Sequence, residues 1–177
     1  IAMKNVNIFI LLFLLSGCSE RHLEIVSKYD NGKTKEERIY EDIEDKNKYE
    51  KTIYFENGNI KTKVYIENGK YIREKVNYYS NGNLRQIDSL NKPCELDFCC
   101  CDGSVTRFDT NGVLTETFIN KNGTENGKVR TYFPNGQLSE SYEMIEGKIN
   151  GKGIRYYENG KLNCISEQRN DTLIGYI

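Results

Sequence analysis

After residue 28 the chain runs as short stretches in which apolar and polar side chains alternate, and the stretches are punctuated by Asn-Gly pairs. Period-two alternation is the pattern of a strand, and Asn-Gly between two such runs is the strongest short-range signal for a hairpin. The pair occurs ten times, at Gly32, Gly58, Gly69, Gly82, Gly112, Gly123, Gly127, Gly136, Gly151 and Gly160. Six of these glycines, 32, 58, 82, 112, 136 and 160, share a context and follow one another at 26, 24, 30, 24 and 24 residues. A fixed period of that length marks a repeat architecture, in which each unit buries its apolar positions against its neighbours. Helical periodicity is absent after Cys18, although the charged stretch Glu36 to Lys51 suits a short helix or a loop.

The shared context reads aromatic-aromatic-x-Asn-Gly-x-aliphatic: Tyr54-Phe55-Glu56-Asn57-Gly58-Asn59-Ile60, then Tyr78 to Leu84, Tyr132 to Leu138 and Tyr156 to Leu162. The first copy is degenerate, with Tyr29 and Thr34 in the flanking places. The fourth, Arg107 to Leu114, reads as carrying one extra residue. A two-residue type I′ turn at Asn-Gly would set Phe55 opposite Ile60, Tyr79 opposite Leu84, Phe133 opposite Leu138 and Tyr157 opposite Leu162. Tyr54, Tyr78, Tyr132 and Tyr156 would then line the other face, so each face carries an aromatic column. Each unit has room for two strands of about eight residues, with its second turn at Gly69, at Gly123 or Gly127, and at Gly147 or Gly151. The expected fold is all-β: an elongated antiparallel β-hairpin repeat array, a single-layer sheet or flattened solenoid. Its six or so units would give about twelve strands, about 55 Å end to end at about 4.8 Å per strand. The acidic-basic run Glu41 to Lys46 is expected to blunt the first edge against pairing with other chains.

The N-terminus is of another kind. Met3-Lys4 opens a short basic region, Val6 to Leu15 is almost wholly apolar, and Leu15-Ser16-Gly17-Cys18 follows at once; Ile1 and Ala2 read as an extension upstream of a start at Met3. That is the layout of a secretory signal, and its apolar run is about half of what a membrane-spanning helix needs. Leu-Ser-Gly-Cys closely resembles the lipobox of bacterial lipoproteins at all four positions. The resemblance implies removal of residues 1–17, lipidation of Cys18 and a lipid-anchored location in the cell envelope. Ser19, where an Asp would signal inner-membrane retention, favours the outer membrane. Residues 18–27 would be the lipidated tether and 28–177 the repeat domain.

The repeats resemble the MORN-variant family, whose copies run aromatic-aromatic-x-x-Gly-x-leucine with a second glycine about a dozen residues on. The resemblance covers roughly Tyr29 to Ile177. Proteins of this kind include YwqK-like antitoxins, and the resemblance implies binding or scaffolding.

Composition narrows the chemistry. With 26 acidic and 25 basic residues, net charge points to neither nucleic acid nor an acidic surface. The one histidine, His22, falls in the expected tether, which argues against a histidine-based triad; the carboxylates show no distinguishing pair, and no glycine loop opens a helix to cradle phosphate. No catalytic residue, cofactor or metal site is therefore expected, and an envelope hydrolase is the least favoured reading. Apart from Cys18 there are five cysteines, Cys94, Cys99, Cys100, Cys101 and Cys164. Four cluster in the one long interval, so residues 92–103 read as an insertion stapled by a disulfide, Cys94 pairing with Cys99 or Cys101 while Cys164 stays free. A metal site through Cys94, Cys99 and Cys101, or a redox thiol, is the alternative. The column Tyr54, Tyr78, Tyr132 and Tyr156 is the candidate binding surface, because tyrosine combines a large apolar ring with a hydroxyl. The expectation is a lipoprotein that binds a partner protein, with an antitoxin or immunity role as the narrower alternative.

Overall fold

The computed structural model describes residues 21–95 and 101–177. Its strands are β1 (His22–Lys28), β2 (Thr34–Tyr40), β3 (Lys48–Tyr54), β4 (Ile60–Glu67), β5 (Lys70–Tyr78), β6 (Leu84–Leu90), β7 (Cys94–Glu95) and β8 (Gly103–Phe108). There follow β9 (Leu114–Lys121), β10 (Thr124–Tyr132), β11 (Leu138–Ile145), β12 (Lys148–Ile149), β13 (Gly151–Tyr156), β14 (Leu162–Arg169) and β15 (Thr172–Tyr176). All belong to one antiparallel sheet ordered β1-β2-β3-β4-β5-β6-β8-β9-β10-β11-β13-β14-β15, with β7 beside β5 and β12 beside β11. The path follows the chain, with β7 and β12 set beside it, and the sheet stays open between β1 and β15, which selects the single-layer sheet of the two forms expected.

Three expectations change. The stretch Glu36 to Lys51 is neither helix nor all loop: its ends lie in β2 and β3, where Tyr40 pairs with Tyr49 and Arg38 with Lys51. Glu36 meets Arg38 along its own strand and Lys51 on β3, each at 3.1 Å. Glu41 to Lys46 forms the connection between β2 and β3, so it does not guard the sheet edge, which is β1. The strand also begins at His22, inside the expected tether, because Leu23 and Ile25 alternate with polar residues and pair with Ile39 and Glu37.

The turns fall into two classes, one at each long side of the sheet. At the six periodic Asn-Gly pairs the turn is not type I′. Gly58 N donates to Phe55 O and Phe55 N to Asn59 O, which encloses a three-residue loop: a type I turn closed by a left-handed glycine, with Gly58 at φ 98°. Tyr54, not Phe55, therefore faces Ile60, and Tyr78, Tyr132 and Tyr156 face Leu84, Leu138 and Leu162. The cause is local. Asn57 Oδ1 accepts the N–H of Asn59 at 2.9 Å, which fixes Asn57 inside the turn and leaves the positive φ to glycine alone. In the fifth copy Pro134 stands at the second turn position, where its fixed φ suits type I and forbids type I′. At the other side Asn68-Gly69 and Asn122-Gly123 are two-residue turns with both residues at positive φ, as are Glu146-Gly147 and Asn170-Asp171. Gly127 and Gly151, the alternative second-turn markers, instead lie within or at the start of a strand, near an interruption of the ladder. Arg73 holds the equivalent place two units before Gly127, also at positive φ (64°).

The apolar core is spread along one face. Val105, Phe118, Val129 and Met144, one from each of β8 to β11, form a buried cluster with Tyr142 and Ile149 against it. Tyr40, Val64 and Ile66 are buried further along. A single sheet has no second layer to bury these residues, and long side chains on the same face roof them instead. The Arg107 guanidinium lies 4.6 Å from the Phe118 ring centre and that of Arg38 lies 5.0 Å from Tyr49. Methylene stems cover apolar surface while the charged heads stay in water.

Candidate binding surface

The row of first aromatics is built by the bulged turns. Tyr54, Tyr78, Tyr132 and Tyr156 occupy one position in successive units, each half-buried and opposite an aliphatic side chain. Phe108, opposite Leu114, completes the row in the fourth unit. The extra residue expected there does not exist: Asp109 N pairs with Val113 O as Phe55 N does with Asn59 O, so Asp109 stands in the place of the second aromatic. The equal distance from Phe108 and Tyr54 to their Asn-Gly pairs carried that signal, and the missing second ring obscured it. Neighbouring members of the row are two strands apart, about 10 Å.

The units are bolted together along this side. Asn57 Nδ2 donates to Ser80 O at 2.7 Å, Asn81 Nδ2 to Thr110 O at 2.8 Å and Asn135 Nδ2 to Glu158 O at 3.0 Å, each reaching the next unit's turn. Hydroxyls of the second aromatic do the same: Tyr29 donates to Tyr54 O at 2.7 Å and Tyr79 to Phe108 O at 2.9 Å. Tyr54 itself donates to Glu37. Burial, then this carboxylate, push its phenol well above the ordinary tyrosine range.

The insertion forms the second feature. Cys94 and Cys101 are joined in a disulfide with Cα atoms 5.5 Å apart, and Cys164 is a free, half-buried thiol on β14. β7 lies along the part of β5 that β6 leaves open, Tyr71 facing Cys94, with Lys70 and Glu95 paired at 2.7 Å. At the base of the insertion Asn91 N donates to Asp102 O, and Lys92 meets the Asp102 carboxylate at 2.8 Å. Lys92 and the N–H of Asn122 hold that carboxyl below the usual aspartate range. The disulfide takes Cys94 and Cys101 out of the thiolate set that the metal alternative required. Cys99 and Cys100 lie outside the described residues, as does Cys18 with the rest of the lipobox.

Beside the insertion, a groove of about 350 Å³ opens on the core face. Tyr71, Lys75, Asp88, Arg107 and Asn120 line it, with Cys101 at its margin. Several of its polar groups bond one another: Arg107 meets Glu116 at 2.7 Å, and Gln86 bridges Arg107 to Asp88 at 3.4 and 2.7 Å. Sequence reasoning missed this groove because its residues come from five strands whose relation depends on the register.

An open one-layer sheet of two-strand units, cross-braced turn to turn, defines a β-hairpin repeat protein. Two stretches, residues 125–144 and 149–170, match the MORN repeat variant. They span the units around Gly136 and Gly160, and the same aromatic turn recurs in the units before them. Among curated proteins no match is found.

Proposed function

We propose that the chain is an envelope-anchored lipoprotein that binds a partner protein through its MORN-variant repeats. The observation that carries this reading is the row of half-buried rings, Tyr54, Tyr78, Phe108, Tyr132 and Tyr156, recurring every two strands of a braced single sheet. Half-buried aromatics on a rigid frame supply contact area at little cost in conformational entropy, which is what protein interfaces favour. The anchor is read from Leu15-Ser16-Gly17-Cys18, which ends only a few residues before β1, and would hold the sheet close to the membrane surface.

Crosslinking in the native host followed by detergent extraction tests the binding role. Recovery of one envelope protein, lost when Tyr78 and Tyr132 are both changed to Ala in a folded variant, is the expected result. Recovery of a single toxic protein would select the antitoxin or immunity role. Hydrolysis of an envelope polymer by the purified chain would replace both. Cys18→Ser tests the anchor separately: the variant should fail to take up a fatty-acid label, and continued labelling removes the lipoprotein assignment.

A further inference from the structure

The repeats differ from one another at a single place that changes what the second aromatic can do. In the first three units a cation six residues after the ring is stacked on it: Lys35 on Tyr29 at 5.6 Å, Lys61 on Phe55 at 5.7 Å and Arg85 on Tyr79 at 5.9 Å. The same offset in the last two units gives Ser139 after Phe133 and Asn163 after Tyr157, side chains too short and uncharged to take that place. There a cavity of about 420 Å³ opens, lined by Phe133, Tyr157, Ser139 and Asn163, with Glu140, Glu158 and Arg155 supplying its charges. Tyr157 is 53% exposed. Glu158, whose carbonyl is held by Asn135 Nδ2 at 3.0 Å, brings a carboxylate to the cavity, while Glu140 is engaged by Arg155 at 2.9 Å.

We infer that this cavity receives basic side chains, arginine or lysine, of a partner protein, which stack on Phe133 and Tyr157 where the first three units use their own cations. The chemistry is that of a cation over an aromatic face, with a carboxylate adding charge complementarity. The two rings sit two strands apart, about 10 Å, so a partner offering two basic residues at that separation would engage both. This rests on the reading of the chain as a protein-binding module and gives that module a site and a ligand charge.

Binding of fluorescein-labelled hepta-arginine, followed by anisotropy at physiological salt, tests it. S139K with N163K installs the residue type that the earlier units carry, so it should fold and fill the site from within. Two stacked cations predict that this variant binds about fivefold or more weakly. N163K alone, at an exposed position, should give part of the loss, as should Y157L, which leaves the charge unchanged. T115K adds the same charge at the equivalent position of the fourth unit, where Asp109 replaces the ring, and should bind within about twofold of the parent because it has no ring to cap. Conversely, K61S should strengthen binding by uncovering Phe55. Absence of hepta-arginine binding, or equal binding by the parent, S139K/N163K and Y157L, overturns the inference. Should the native partner be captured equally by the parent and S139K/N163K, the module stands and this site falls. Should hepta-arginine binding respond as stated while no partner is captured, the site stands and the module reading falls.

Discussion

One amide side chain explains why the eight Asn-Gly pairs that form turns give two turn types. Asn57 spends its oxygen on the N–H of Asn59 and its nitrogen on Ser80 O, and with the side chain so committed only Gly58 takes positive φ. Replacing Gly136 or Gly160 by Val should therefore cost more than about 1 kcal/mol in thermal unfolding, as a β-branched residue at φ near 80° is strained. Gly103 fails for a different reason. An added Cβ would lie 2.1 Å from Ser89 O on the paired strand, so Gly103→Ala should destabilise by about 1–3 kcal/mol. Tyr54 gives a pH test. Its folded phenol is raised, so the unfolded chain releases that proton first: stability is constant below the ordinary tyrosine value and falls as pH rises from there towards the folded one. Tyr54→Phe should flatten that alkaline limb of a denaturation series. The sequence displayed Asn57 and Gly58 plainly. Which partner the asparagine would choose depended on a turn in the next unit.

At the scale of the element, the insertion shows how a segment outside the repeat period is held. The chain leaves β6, lays β7 on the exposed stretch of β5 and returns to β8, while the disulfide closes the short loop between. Cys94→Ser should lower stability by about 2–3 kcal/mol in the chain-entropy model, and a reductant titration of the parent should give the same loss. Asp102 contributes in the opposite pH range from Tyr54. Folding lowers its pKa, so its bonds to Lys92 and Asn122 N–H act in full above the ordinary aspartate value and fade as pH falls through the lower folded one. In Asp102→Asn, hydrogen exchange at Asn122 should lose its extra acid sensitivity. The existence of the insertion was legible from one interval of 30 residues among those of 24. Its attachment to β5 was not, because that depends on how far β6 runs before it leaves an edge uncovered.

For the whole molecule, stability is spread over neighbouring strand pairs, since the sheet order follows the chain. Val64 on β4 and Val129 on β10 are both buried and lie several strands apart. Val64→Ala and Val129→Ala should each cost about 1–3 kcal/mol and add within about 0.5 kcal/mol in the double variant. Hydrogen exchange should report loosening around each substituted valine and little at the other. Alternation, φ preference and period are properties of adjacent residues, so the all-β class, the repeat length, the number of units and the places of the aromatic-Asn-Gly turns were legible before folding. Three outcomes came from the folded sheet: Tyr54 and not Phe55 faces Ile60, β1 begins at His22, and cations cap the second aromatics of the first three units while Phe133 and Tyr157 carry no such cap. These outcomes depend on register, and a register shift of one residue sends a side chain to the other face of the sheet. The Asn57 oxygen sets the turn type locally, whereas its nitrogen, reaching Ser80 O, ties that turn to the next unit.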